Sequence, residues 1–355
     1  MKTTVSFLLK TTNFLILAVF LWSCSNTSEP TPKTTGSVLV VNEGAFFNDN
    51  SSVSLFDTKT KSVSLDIFKK KNNGVSFGGT VQSVGLSADQ KTAYICVATP
   101  SGNDKLMLAQ SSDFQAIKEI MGMEIPRYGV ALGNRIFVSN WGKYVLPAYT
   151  NPNSFVAVIN GITNEIEKKI AVSSRPEGLL VFENKIYVAC GTGNNITVID
   201  ANSLTILKTI KTEGEPQKLV LDKNNKIWVL CQTGFLQQIE ADQVVKSIKI
   251  EKLQINSQLA TNPQKDLLYL VSGEPYPSQE SALWAWDISA STWNAKKIVD
   301  KRNIYGLGVD SNDGTIYVGI APDFQSNGTV LRLKTDGTEI DNFGVGIAPN
   351  GFIFR

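Results

Sequence analysis

Short runs of alternating hydrophobic and polar residues, separated by turn residues, follow one another along most of the chain. The clearest unit spans residues 176–210 and reads PEGLLVFENKIYVACGTGNNITVIDANSLTILKTI, and the next unit begins at Pro216. In the first unit the runs are GLLVF, KIYVAC, NITVID and ILKTI. Such alternation is typical of β-strands, and Asn and Gly between the runs are typical of tight turns. The pattern therefore predicts a repeating unit of four strands.

The unit recurs at regular intervals, with starts at positions 81, 126, 176, 216, 256 and 304. The starts lie about 40–50 residues apart, close to the length of a four-stranded propeller blade. At the ends of the chain, residues 349–354 (PNGFIF) match the first strand of a unit, and residues 37–44 and 52–57 match the second and third. We therefore predict an all-β fold, a seven-bladed β-propeller over residues 37–355, in which the N- and C-termini together close one blade.

Aromatic residues recur at one place in the second strand of successive units. Because the position repeats with the fold, we predict that these residues pack between blades. Trp284 and Trp286, two positions apart in a third strand, are also predicted to be structural. The second-strand residues are Tyr94, Phe137, Tyr187, Trp228, Tyr269 and Tyr317.

The first residues have the features of an export signal. Lys2 and Lys10 precede the apolar run FLILAVFLW, which is too short to span a bilayer, and Ser23-Cys24 follows this run like a bacterial lipobox. We predict a lipoprotein signal peptide over residues 1–23, followed by a lipidated Cys24 and a flexible tether over residues 24–36. The alternative is an ordinary signal peptide with an incidental cysteine.

Composition excludes several kinds of chemistry. The chain is 42% hydrophobic and 19% charged, with a net charge of +2, so it lacks the electrostatic footprint of a nucleic-acid-binding protein. It contains no histidine, which excludes Ser-His-Asp and Cys-His sites and His-ligated metals. Cys96, Cys190 and Cys231 each end an apolar run and are predicted to be buried, inert thiols. We therefore predict no enzyme activity, no cofactor and no metal site.

One face of the predicted propeller contains the candidate binding residues. The loops that enter each first strand and those between second and third strands emerge on this top face, and the longest is NWGKYVLPAYTNPN over residues 140–153. Aromatic residues on variable loops above a rigid scaffold are typical of binding surfaces, although they can also pack on one another and only order the loops. The predicted ligand-binding residues are Phe46, Gln82, Arg127, Tyr128, Asn140, Trp141, Tyr144, Glu177, Tyr276, Tyr305 and Phe324.

Four carboxylates on the same face are a candidate calcium site. Calcium takes six to eight oxygen ligands, several of them charged. Because the acidic residues do not recur at equivalent repeat positions, we predict solvated side chains instead. The four are Glu43, Glu177, Glu274 and Asp323.

The unit PxGxxxxxxKIYVA…ITVID resembles the YncE-like, or YVTN, propeller repeat. The segments VLVVNEGAFFNDNSSVSLFD and IFVSNWG resemble a narrower group, the lipoprotein propellers of Bacteroidetes that include the surface cobalamin-binding protein BtuG. This resemblance implies a lipid-anchored protein of the outer membrane, at the cell surface, that captures a corrinoid. It also implies a TonB-dependent outer-membrane transporter as partner. A protein-interaction scaffold without a small ligand and a propeller hydrolase or lactonase remain alternatives.

Overall fold

The computed structural model describes residues 36–45, 48–250, 258–274 and 278–355. Strands in these residues form seven antiparallel sheets of four strands each, which are the blades of a β-propeller. Blade 1 contains β1 (Ser37–Asn42), β2 (Ser52–Asp57) and β3 (Val63–Ser64). Blade 2 contains β4 (Thr80–Leu86), β5 (Thr92–Ala98), β6 (Lys105–Gln110) and β7 (Ala116–Met121). Blade 3 contains β8 (Pro126–Leu132), β9 (Arg135–Asn140), β10 (Phe155–Asn160) and β11 (Glu165–Ala171).

The other four blades follow the same order, and the last strand of the chain joins blade 1. Blade 4 contains β12 (Pro176–Phe182), β13 (Lys185–Cys190), β14 (Asn195–Asp200) and β15 (Ile206–Lys211), and blade 5 contains β16 (Pro216–Leu221), β17 (Ile227–Cys231), β18 (Phe235–Glu240) and β19 (Gln243–Lys249). Blade 6 contains β20 (Leu259–Thr261), β21 (Leu267–Gly273), β22 (Glu280–Asp287) and β23 (Lys296–Arg302). Blade 7 contains β24 (Ile304–Val309), β25 (Ile316–Ile320), β26 (Asn327–Leu333) and β27 (Glu339–Ile347). The last strand of the chain is β28 (Pro349–Phe354).

The two termini close the ring as predicted. β28 pairs with β1, with Val38 opposite Phe354 and Asn42 opposite Pro349, so blade 1 has the order β28-β1-β2-β3. The first strands of neighbouring blades contact one another around the central channel, and β28 lies between β24 and β4 in that circle. The predicted seven-bladed propeller is therefore confirmed. The predicted unit start at position 256 lies outside the described residues.

Hydrophobic residues fill the spaces between blades, where the flat sheets face one another. Tyr94, Phe137, Tyr187, Trp228, Tyr269 and Tyr317 are all at most 4% exposed, which confirms the prediction that the second-strand aromatics are structural. Cys96, Cys190 and Cys231 are buried and free, also as predicted. Burial raises the pKa of the Cys96 and Cys231 thiols to about 12 and that of Cys190 to about 11, so these groups stay protonated at neutral pH.

Blade 1 departs from the repeat at its outer edge. Its fourth strand, β3, has only two residues and is followed by a short helix, α1 (Ile67–Lys71). Phe68 on this helix is buried and stacks on Phe77 at a centroid distance of 4.1 Å, so the helix covers the sheet where a longer strand would lie. In the described part of the chain, no helix has the length and apolar character needed to cross a membrane.

Candidate ligand-binding site at the channel mouth

The first strands carry a β-bulge near the top of the channel in every blade except blade 6, where the preceding residues are not described. In each bulge the register with the second strand shifts, for example between Val81 and Ser83 and between Ile304 and Gly306. A bulge re-aims the side chain of the extra residue, and here it does so at the same level of successive blades. The residues in these bulges include Gln82, Arg127, Tyr128, Glu177, Gln217, Tyr305 and Asn350.

Several of these side chains meet over the channel. Arg127 Nε donates to Glu177 Oε2 at 3.1 Å, and Arg127 Nη1 donates to Gln82 Oε1. Gln82 Nε2 in turn donates to Glu43 Oε1 at 2.7 Å, and Glu43 Oε2 accepts from the Tyr305 hydroxyl. Side chains from four blades and from the loop after β1 thus form one hydrogen-bonded chain. We call Glu43, Gln82, Arg127, Glu177, Tyr305 and Asn350 the mouth network.

Asn350 joins this chain from the last strand. Its Nδ2 donates to the Gln82 backbone carbonyl at 3.1 Å and lies 3.4 Å from Glu43 Oε2, whereas its buried Oδ1 has no hydrogen-bond partner among the described residues. The closing strand therefore contributes directly to the mouth network, which ties the integrity of the site to the closure of the ring.

Charge and burial together set the protonation states in the network. Burial by itself lowers the pKa of Arg127, but the negative charges of Glu177 and Glu43 outweigh it and leave the pKa above its usual value. Burial, the charge of Glu43 and the hydrogen bond to Glu43 all raise the pKa of Tyr305 well above its usual value. At neutral pH Arg127 is therefore a cation and Tyr305 a neutral donor.

Three aromatic residues of the long loop between β9 and β10 lie beside the mouth network. We call Trp141, Tyr144 and Tyr149 the aromatic wall. The guanidinium carbons of Arg127 and Arg175 lie 4.4 and 5.1 Å from the ring centroid of Trp141, within the range of cation–π contacts. Tyr144 contacts Trp141 edge-on at 6.4 Å, and Tyr149 contacts Tyr144 in the same way at 6.3 Å. These aromatic residues do pack on one another, yet Tyr144 and Tyr149 remain 44% and 64% exposed.

Two cations at the mouth were not predicted. Arg175 donates to Asn151 Oδ1 at 2.8 Å and to the Tyr149 carbonyl at 2.9 Å, and so holds the aromatic wall in place. Lys218 Nζ lies 3.5 Å from the ring centroid of Tyr128, and among the described residues no carboxylate forms an ion pair with it. The sequence did contain a signal for both residues, since Arg175 directly precedes the Pro that starts one unit and Lys218 is the second residue after the Pro that starts the next.

The remaining predicted residues occupy different surroundings. Phe324 contacts Tyr305 edge-on at 5.0 Å and lies at the mouth. Asn140 is completely buried, and its amide is paired with the Glu124 N–H and the Val138 carbonyl. The Asn140 side chain therefore links β9 to the connection between β7 and β8 and does not face the mouth. Phe46, Tyr276 and Cys24 lie outside the described residues.

The four candidate calcium ligands do not converge. Glu43 and Glu177 belong to the mouth network, whereas Asp323 Oδ1 accepts from the backbone N–H groups of Gln325 and Ser326 in its own loop. Within the described ranges, no three His, Cys, Asp or Glu residues are grouped so that they could hold a metal ion. The prediction of solvated carboxylates is wrong for Glu177, which is buried and pairs with Arg127.

Solved structures that resemble this chain have very different sequences. A quinonprotein alcohol dehydrogenase-like protein from Bacteroides thetaiotaomicron aligns with a TM-score of 0.68 and 13% identity, over 90% of this chain and 78% of the other. The periplasmic gluconolactonase of Pseudomonas aeruginosa aligns with a TM-score of 0.66 and 12% identity, over 89% and 99%. Hydrazine synthase of Kuenenia stuttgartiensis aligns with a TM-score of 0.59 and 16% identity, over 76% and 88%. These likenesses establish the fold alone.

Sequence comparison places the chain in a family. No curated protein matches the sequence. A family model described as "Domain of unknown function (DUF5074)" matches residues 36–340, which is most of the chain. Together with the seven-bladed fold, this match fits the resemblance to YncE-like propellers. The chain therefore belongs to the DUF5074 family.

Proposed function

We propose that this protein is a lipid-anchored binding protein of the outer membrane that holds a large polar ligand over the channel mouth. A corrinoid is the leading candidate for this ligand, and a TonB-dependent outer-membrane transporter is the partner that receives it. The observation that supports this most strongly is the mouth network, in which side chains of four blades converge beside an aromatic wall.

The mouth is preorganised for a polar ligand. Gln82 and Glu177 are 8% and 5% exposed and are already held by neighbours, so they lose little conformational entropy when a ligand arrives. Lys218 adds a positive charge without an ion-pair partner in the described residues, which suits an anionic group on the ligand. The site therefore combines fixed hydrogen-bonding groups with the positive charge of Lys218.

The aromatic wall supplies area for an apolar edge. Trp141 is held by Arg127 and Arg175, whereas Tyr144 and Tyr149 present exposed ring surface above it. A corrinoid is a large, flat macrocycle with amide side chains around its edge. The amides match the donors and acceptors of the mouth network, and the macrocycle matches the aromatic surface. Since the chain contains no histidine, it has no imidazole side chain that could coordinate the cobalt of a bound corrinoid. The cobalt therefore keeps its own axial ligand or takes another side chain of the protein.

Calorimetry with cyanocobalamin on the purified full chain tests this proposal. We expect binding in the wild type and a loss of about 2 kcal/mol, roughly 30-fold in Kd, in Trp141→Ala, because a packed tryptophan anchor is removed. Lys218→Gln should also weaken binding, whereas Ile162→Ala, on the opposite face and 73% exposed, should not. The absence of heat and of any spectral change at high micromolar concentration would refute the corrinoid as the ligand.

Exposed hydrophobic residues on the long loop favour the scaffold alternative. Val145 and Leu146 are 45% and 65% exposed beside Tyr144 and Tyr149, and together they form an apolar projection from the top face. A protein partner that covers this loop would bury all four. If a transporter fragment binds the full chain while cyanocobalamin does not, the scaffold function replaces the corrinoid-binding one.

Two carboxylates at the mouth are the observation that favours the lactonase alternative. Glu43 and Glu177 are fixed by Tyr305 and Arg127, as an acid–base pair would need to be. Hydrolysis of glucono-δ-lactone by the full chain, abolished in Glu177→Gln, would support an enzyme. Cobalamin binding without turnover would favour the binding protein.

A further inference from the structure

A cavity of about 480 Å³ lies away from the channel mouth, between blades 5 and 6. Lys249 at the end of β19 forms one side, and Ser272 in β21, Trp284 in β22 and Lys297 in β23 form the other. None of its described lining residues belongs to the mouth network. A volume of this size is within the range of small-ligand sites, which is on the order of 300–1,000 Å³.

Two tryptophans form the apolar part of the cavity. The rings of Trp284 and Trp293 lie 6.1 Å apart at 59° to each other, and both side chains are partly exposed. Trp284 Nε1 donates to Ser272 Oγ at 2.6 Å, which fixes that ring. Trp293 stacks on the buried Trp286 at 6.4 Å and 21°. The orientations of both indole rings are thus fixed before a ligand binds, and Lys297 Nζ lies 5.4 Å from the centroid of the Trp284 ring.

Two pairs of oppositely charged residues lie beside the tryptophans. Lys297 Nζ lies 3.1 Å from Asp300 Oδ1, and Arg302 Nε lies 3.5 Å from Glu280 Oε1. A net-charged ligand would have to disrupt these pairs. A neutral ligand with many hydroxyl groups can instead donate to the carboxylates and accept from the ammonium groups while the pairs persist.

We propose that this cavity binds a neutral saccharide. The apolar C–H face of a pyranose ring stacks on an indole, and its hydroxyl groups reach the paired charges at the rim. An apolar ligand would displace water from those rim groups without replacing its hydrogen bonds, which is unfavourable. The cavity is separate from the channel mouth, so a test of saccharide binding does not depend on the function proposed for the mouth.

An array of neutral and charged oligosaccharides, probed with the full chain, tests the inference, with calorimetry on each saccharide that binds. We expect neutral oligosaccharides to bind, and affinity to fall at least tenfold in Trp293→Ala and Trp284→Ala. Trp284→Phe keeps a ring and should retain part of the affinity. Val245→Ala, an exposed change on the neighbouring blade, is the control that should bind like the wild type.

Three results would overturn the proposal. They are the failure of every neutral oligosaccharide to bind, binding of charged saccharides alone, and unchanged affinity in both tryptophan-to-alanine variants. Because Trp284 packs partly against the core, its alanine variant is also checked for cooperative melting. If that variant does not fold, the saccharide affinities of the two single variants Trp293→Ala and Trp284→Phe decide the outcome.

Discussion

The backbone of Val40 pairs with that of Phe352, so the last strand of the propeller lies directly beside the first. The N–H groups of Gly36 and Ser37 both donate to the Arg355 carbonyl at 3.0 Å, which extends the pairing to the end of the chain. Without β28, blade 1 would lose its inner strand and the mouth network would lose Asn350. Closure therefore serves both the ring and the site.

A chain that ends after Gly346 should lose cooperative folding, because the ring opens and the edge of β1 becomes exposed. Thermal melting followed by circular dichroism is the measurement. Deletion of Arg355 alone keeps all of β28 and should preserve a single cooperative transition at a lower temperature. If the longer truncation melts like the full chain, closure does not stabilise the fold.

The Arg127–Glu177 pair should matter far more than a similar pair at the surface. Arg127→Met leaves the 5% exposed Glu177 without its cation and should cost about 3–5 kcal/mol of unfolding free energy. The matched change is Arg135→Met, which breaks a bidentate but more exposed pair with Glu167 and should cost about 1 kcal/mol or less. Denaturant titration measures both. Equal costs would contradict the importance of burial at the mouth.

Asp242 ties blade 5 to blade 4 and should make the protein sensitive to acid. It accepts from Lys185 Nζ at 2.8 Å and from the Tyr187 hydroxyl at 2.6 Å. Burial raises the pKa of Asp242, but these two hydrogen bonds and the lysine charge outweigh it, and the pKa is lowered from 3.8. The stabilisation is therefore present above pH 3.8 and is lost as the pH falls through the lower folded-state value.

Asp242→Asn should accordingly cost about 1 kcal/mol at pH 7 and almost nothing at a pH below the folded-state pKa of Asp242. Unfolding free energies of wild type and variant at the two pH values measure this difference. Glu165→Gln, an exposed change in β11, should show no such pH dependence. A cost for Asp242→Asn that is the same at both pH values would contradict the assigned ion pair.

Cys24 should be the site of lipid attachment. Cys24→Ala is expected to release the protein from membranes or to stall its processing, because several acyl chains are needed for stable anchoring. Metabolic labelling with a fatty acid and fractionation of the membranes are the measurements. Cys96→Ala, a change at a buried thiol, should leave the label in place. Membrane association without label at Cys24 would contradict the lipoprotein prediction.

Sequence patterns were sufficient for the architecture. Alternation, turn residues and the incomplete units at the two termini predicted seven blades and the closure of one blade by both termini, because strand patterns and turns are local. The same reasoning did not predict α1, since a five-residue helix has too little periodicity to detect. It also predicted Trp284 and Trp286 to be equally structural, whereas only Trp286 is fully buried.

The sequence by itself determined that Gln82, Arg127 and Tyr305 stand at the top of the channel, because each follows the start of a repeating unit. Only the tertiary structure decided how they pair: Arg127 with Glu177, Glu43 with Tyr305, and Asn140 with Glu124 of the preceding connection. The physical reason is that the two-residue period of a strand specifies the face of a sheet on which a side chain lies. Contacts between blades depend instead on the bulges and on the closure of the ring, which bring together residues far apart in the chain.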